Sequence, residues 1–315
     1  ELAVLYTAMG LGLAYNDVLT DALMVENGKL NGLTGAFQSV QWSAVTAAAI
    51  VVGLLGGYFA EHRQLQVAFA ASAVFPLIVL FMAVFFVYEK PIESKQGNVS
   101  EVWSALRAGF GERSVWLVAA FIFLFNFSPS FGPAFLFYQT DELGFSQQYI
   151  GILNAVDSAA SIIGALIYVP LSRSLPLRRL INVAIGLSVI MLLTYLAYRG
   201  EMSALLIHII WGITGMVTTL AFLDLAARAC PPRAEATFFA LLMAIFNLGT
   251  LASQNIGAHL YTELGEGSFA YTWLVIISTI ATAAIWLLVP FIHIERIESR
   301  ALQQRRTYRH THRSQ

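Results

Sequence analysis

Nine runs of roughly twenty mostly apolar residues divide this chain of 315 residues, and that is the length an α-helix needs to cross the hydrocarbon core of a bilayer. They cover residues 2–25, 34–60, 65–88, 115–138, 148–171, 178–198, 202–227, 235–262 and 269–292. Only 12% of residues are charged, against roughly 25% in a soluble domain. A mean hydropathy of +0.68 over this length cannot be hidden in a soluble core, so lipid must be the solvent. The pattern predicts an all-α polytopic membrane protein with nine transmembrane helices.

Basic loops stay cytoplasmic, which orients the spans. With the C-terminus inside and the spans alternating, sixteen of the eighteen Lys and Arg residues fall on the inner side, leaving only Arg63 and Arg199 outside. The integral membrane protein is therefore expected in the cell (inner) membrane with its C-terminus cytoplasmic. Nine spans in this sense would place Glu1 outside without an export signal, so an odd number of further spans is expected ahead of it.

Other chemistries find no support. A net charge of −1 carries no nucleic-acid footprint. The single cysteine, Cys230, leaves no thiol pair for metal or redox work. No HExxH or CxxC spacing, nucleophile–base pair or phosphate cradle occurs in the sequence. No enzyme, cofactor or metal is expected.

The longest polar stretch, 89–114, reads as a cytoplasmic linker, with Asn98 capping a short amphipathic helix that lies along the interface. Residues 1–88 would then be three helices of an N-terminal bundle, 115–292 a six-helix C-terminal bundle, and 293–315 a basic cytoplasmic tail. The halves echo each other weakly: Asp17 and Asp21 stand at i and i+4 in one span, Asp224 and Arg228 at i and i+4 in another. Repeated halves are a property of large transporters.

Ionisable groups at membrane depth mark pathways, because an unpaired charge in hydrocarbon is expensive. Asp17 and Asp21 point about 40° apart on one helix face, and Asp157 is the lone acid of its span. Pro129 and Pro133 interrupt the fourth span around Asn126, Ser128 and Ser130, and freed carbonyls there need partners. The polar and aromatic groups Gln38, Gln41, Trp42 and Asn247 can contact a solute, as can Tyr138, Trp211, Gln254 and Asn255. His208 is read chiefly as packing. Asp224, Arg228, Arg233 and Glu235 cluster near a turn, where with Glu26 they suit gating contacts.

Three stretches carry a resemblance: DVLTDALMVE with GAFQSVQW, FIFLFNFSPSFGPAFLFYQTDELGFS, and LAARACPPRAEATFFALLM. With SLPLRRLI they resemble the folate–biopterin transporter family of the major facilitator superfamily. The resemblance implies a twelve-helix fold of which these spans are the fourth to twelfth, and a gradient-driven carrier of pterins, folates or related compounds. It places the family's acidic signature on Asp17, Asp21 and Glu26, and its basic-proline-acid turn on Arg228, Pro231, Pro232 and Glu235. Two positions depart from it: Asp224 replaces an apolar residue, and the helix after Gly151 offers Asp157 in place of a base.

The expected function is proton-coupled symport of a small organic solute, most simply a pterin or folate-like compound, by alternating access. The alternatives are a permease for a sugar, nucleoside or muropeptide, and a non-transporting membrane sensor. The expected partners are that solute, a coupling proton and the bilayer.

Overall fold

Helices form where the apolar runs predict them, because in lipid a segment must satisfy its own backbone hydrogen bonds. The computed structural model describes residues 2–31, 34–87, 99–128, 132–231 and 234–299. Its helices are α1 (Leu2–Asn31), α2 (Thr34–Glu61), α3 (Leu65–Phe86), α4 (Val99–Phe110), α5 (Arg113–Asn126), α6 (Gly132–Phe137), α7 (Gln147–Ser174), α8 (Leu177–Thr194), α9 (Glu201–Ala229), α10 (Glu235–Glu263) and α11 (Gly267–Ala284). A π turn, Tyr138–Glu142, extends α6, and a 3₁₀ segment, Ile285–Ile292, extends α11. No strand occurs among the described residues.

Seven helices among the described residues are long and apolar enough to cross a membrane. The other two expected spans look different. The first lies on α1, whose side chains are described only in part. The fourth is interrupted where the prolines predict, between α5 and α6. Helix α4 forms over its expected stretch, while Asn98, its expected cap, lies outside the described residues. At its far end the Phe110 ring lies 5.1 Å from that of Phe238 on α10.

The loops gather at two ends. One end joins Glu61 to the start of α7, the start of α7 to that of α9, and Glu142 to Ser268. There Gly265, Glu266 and Gly267 all take positive φ to turn α10 into α11, a conformation that glycine adopts without a Cβ clash. The other end holds Arg178, Arg228 and the segment after the 3₁₀ extension, which they tie down through Glu295 and Glu298.

Among the described residues, the buried apolar core lies wholly beyond residue 114. One cluster, around Phe121, Ile122, Leu180, Ile185, Phe222 and Phe238, fills the end that bears Arg228. A second, around Leu153, Tyr195, Tyr198, Tyr271 and Leu274, fills the opposite end. Along α3, by contrast, Phe75, Leu77, Leu80 and Phe85 are all exposed. That is a surface suited to acyl chains rather than water.

Helix α7 is held on two faces by glycines. On one face it runs antiparallel to α2: a Cβ on Gly151 would strike the Gly53 carbonyl oxygen and come within 2.9 Å of the Gly57 Cα. On the other it runs parallel to α9, where a Cβ on Gly164 would strike the Ile213 carbonyl and one on Gly212 the Asp157 carbonyl. Lipid gives no hydrophobic drive between helices, so such close backbone approach is what holds them. The spacing of Gly53 and Gly57 is the GxxxG signature of close-packed membrane helices, a signal that the charge-centred reading of the sequence passed over.

At its first turn α7 is capped from another helix. The Glu61 carboxylate accepts from the backbone N–H of Gln147 at 2.8 Å and of Gln148 at 3.4 Å, and Ser146 Oγ accepts from that of Tyr149 at 3.1 Å. Three of the four N–H groups that a helix start leaves open are thereby satisfied. The negative charge also faces the positive end of the helix dipole.

Two outcomes follow from this packing. Gly151→Val should force α2 and α7 apart and lower the thermal midpoint of the purified protein, at about 1–3 kcal/mol for overpacking, with Gly151→Ala the milder variant. Glu61→Ala should loosen the same contact. With Cys230→Ser as background, a cysteine placed at Ala155, which is buried at this contact, should then react with a maleimide about fivefold faster, as a loss of about 1 kcal/mol predicts.

Candidate functional site

The residues singled out in the sequence fall into three groups in space. The first lies on α1 and α2. Asp17 is exposed on α1; the side chains of Asp21, Glu26 and Gln38 lie outside those described. Gln41 and Trp42 are half-buried on α2, with Thr46 buried one turn further on and donating to the Trp42 carbonyl at 2.7 Å.

The second group surrounds the break between α5 and α6. Asn126 Nδ2 donates to the Ile122 carbonyl at 2.8 Å, and the Asn126 Cβ lies 3.1 Å from where a Cβ on Gly249 of α10 would sit. The Ser128 carbonyl, freed by the break, accepts from Ser253 Oγ on α10. Ser128 Oγ donates to the Ser278 carbonyl at 2.9 Å and receives Thr282 Oγ1 at 3.1 Å, both from α11. The freed Ser128 carbonyl is thus satisfied by the buried Ser253 hydroxyl of α10, the resolution that a break at membrane depth demands. These contacts make Ser128 a brace of the broken helix. Ser130 lies outside the described residues, and Asn247 is exposed on α10.

The third group is ionic. Arg228 grips Asp224 with two bonds, Nε to Oδ1 at 2.9 Å and Nη2 to Oδ2 at 2.6 Å, the fork geometry in which guanidinium and carboxylate pair most strongly. Glu298 lies 3.4 Å from Nη1, and Tyr168 Oη donates to Asp224 at 3.4 Å. Glu298 also accepts from the Leu177 backbone N–H at 3.3 Å, so one acid joins the start of α8, the end of α9 and the segment after α11. All these described partners belong to residues 168–298. Arg233 lies outside the described residues, as does the side chain of Glu235.

Asp157 stands apart from all three. It sits on α7 against Gly212 of α9, its Oδ1 only 2.6 Å from where a Cβ would be. Only glycine leaves room for it there. Beyond it toward the Glu61 end lies a polar and aromatic cluster, of which the sequence singled out only Tyr138, as a solute contact, and His208, as packing. The rings of Tyr138 and Tyr271 stack at 3.9 Å and 5°. Gln139 Nε2 donates to Tyr198 Oη at 2.6 Å, and Tyr198 Oη lies 3.3 Å from His208 Nε2. Nothing in the linear spacing of Gln139, Tyr198 and His208 signals this network, since three separate helical segments supply it.

A cleft of about 550 Å³ opens at the same end, between Ala134, Phe137, Asp141, Glu142, Tyr261 and the turn at Gly265–Gly267. None of the solute-binding candidates lines it.

Relatives share this sequence over most of its length. It is 30% identical over 308 residues to a folate-biopterin transporter of Synechocystis, across 92% of this chain and 61% of the relative. It is 26% identical over 273 residues to folate transporter 2 of Plasmodium falciparum, across 80% of this chain and 59% of the relative. A probable folate-biopterin transporter 4 of Arabidopsis thaliana is 25% identical over 345 residues, across 85% of this chain and 70% of the relative. The chain therefore spans about three fifths of the length of the first two. The BT1 family profile matches residues 1–310, and the chain belongs to that family.

Proposed function

We propose that this chain is part of a secondary transporter of the major facilitator type, moving a pterin or folate-like compound together with a proton by alternating access. The carrying observation is the glycine contact between α2 and α7, closed by Glu61. With 1–88 as part of one bundle, 89–114 as the linker and 115–292 as the other bundle, this contact joins the two bundles. A joint made of backbone contacts and one exposed carboxylate can part without breaking a hydrophobic core, as rocking bundles require. The names of the relatives support the solute class.

The bias of basic residues puts the Arg228 end and the tail 293–315 in the cytoplasm, so the α2–α7 contact closes the outer mouth of a protein of the cell membrane. Asp17 and Asp21 would meet the solute. The amino-pyrimidine edge of a pterin offers adjacent N–H donors, and a carboxylate accepts such a pair in parallel. Gln38, Gln41, Trp42, Asn126 and Asn247 would contribute flat and polar contacts, with Ser128 and Ser130 shaping the broken helix. Glu26, Asp224, Arg228, Arg233 and Glu235 would govern the inner gate, Arg228 through its hold on Glu298.

Cells producing the full-length protein should accumulate labelled biopterin or folic acid, faster as the external pH falls, because the driving proton is then more abundant outside. Asp21→Asn should raise KM about tenfold or more, in line with roughly 1.5–3 kcal/mol for a hydrogen bond to a charged group, and leave kcat nearly unchanged. Uptake of a sugar, nucleoside or muropeptide in place of both compounds would overturn the solute assignment. Absence of uptake of every solute class would favour a sensor.

A further inference from the structure

Two buried polar atoms on facing helices lack a protein partner among the described residues, and their hydrogen-bonding roles are complementary. They are His208 Nδ1 and Asp157 Oδ1. His208 is almost fully buried, at 6% exposure. Gln139 Nε2 donates to Tyr198 Oη, and we assign the Tyr198 hydroxyl proton to His208 Nε2, 3.3 Å away. A neutral imidazole that accepts at Nε2 carries its proton at Nδ1. His208 Nδ1–H is therefore an open donor. The carboxylate of Asp157 is an open acceptor.

The two sit close along α9. Gly212, against which Asp157 packs, follows His208 by four residues on the same face, a rise of about 6 Å. A water held between the two side chains would meet the open donor and the open acceptor, and a buried water is stable where polar partners surround it. Among the described residues the surroundings hold no counter-cation. The phenol rings of Tyr195 and Tyr198 line the α8 side, Phe135 lies 6.4 Å from the imidazole, and Trp211 flanks Tyr195. On α2 and α8 the charged residues, Glu61, Arg178 and Arg179, are confined to the helix ends, and Arg199 is exposed.

We propose that Asp157 and His208 form a water-bridged proton site at the α7–α9 contact, with Tyr198 and Gln139 fixing the imidazole tautomer. Asp157 takes the proton, and His208 Nδ1–H orients the bridging water that delivers it. Because α7 also carries the α2 contact at Gly151, charge at Asp157 bears on the helix that must move when the outer mouth opens. The inference rests on the proton-coupled reading above and names its site.

Infrared difference spectra of the purified full-length protein across a pH titration test the site without a solute. A protonated-carboxyl band should be lost in Asp157→Asn, shift in His208→Phe, and return to its position in His208→Asn, which restores a donor near Nδ1. A spectrum unchanged by Asp157→Asn would overturn the proposal. In proteoliposomes, both Asp157→Asn and His208→Phe should lose pH-gradient-driven biopterin accumulation at least tenfold while retaining biopterin exchange; undiminished accumulation in both would overturn it too. If wild-type protein exchanges biopterin without moving protons, the coupled reading falls and this inference with it, while solute transport stands.

Discussion

Close backbone contact through glycine on two faces of α7 is the constraint on which the rest of the structure depends. In water, burying apolar side chains would hold α2, α7 and α9 together. In a bilayer the alternative to packing is lipid, which is equally apolar, so association rests on close fit and polar contacts. Gly53, Gly57 and Gly151 provide the fit on one face, Gly164 and Gly212 on the other. One helix, α7, thus packs against a helix that precedes α4 and against one that follows it. A contact without large interlocking side chains also opens at less cost than a packed core.

Polar groups follow the same logic at finer scale. The break after α5 frees the Ser128 carbonyl, which the Ser253 hydroxyl satisfies, while the Ser128 hydroxyl receives Thr282 and donates to the Ser278 carbonyl. Arg228 and Asp224 share partial burial through a two-bond fork and recruit Glu298. An ion pair in this setting offsets the desolvation of both charges and adds little net stability. Its consequence is positional: it fixes the end of α9 to the start of α8 and the segment after α11. Glu61 plays the corresponding role at the opposite end, where one carboxylate replaces the capping that Ser146 alone leaves incomplete.

Much of this was legible in the chain. The spans could be read because a helix in lipid needs a fixed length of apolar residues, a property of consecutive positions. The interruption near Ser128 could be read because proline denies its neighbours a donor wherever it stands. The pairing of Asp224 with Arg228 could be read from the i, i+4 spacing. Glu61 was not legible, since a terminal glutamate looks like any interfacial acid until the start of α7 lies beside it. Nor was the His208 network, whose members Gln139 and Tyr198 come from different helix ends. The glycines at 53 and 57 did carry a signal in their spacing, but it names a close-packed face and not the partner.

The sequence by itself determined that the chain is a helical membrane protein and which family it resembles, because these depend on local composition and short motifs. The tertiary structure alone decided which faces meet: α2 and α9 on two separate faces of α7, Asp157 in the space left by Gly212, and Ser128 committed to bracing the break. Those outcomes depend on helix rotation and register, which are set by contacts among segments up to 154 residues apart. In a bilayer apolar periodicity says little about which face turns inward, since lipid and protein interior are alike to a leucine.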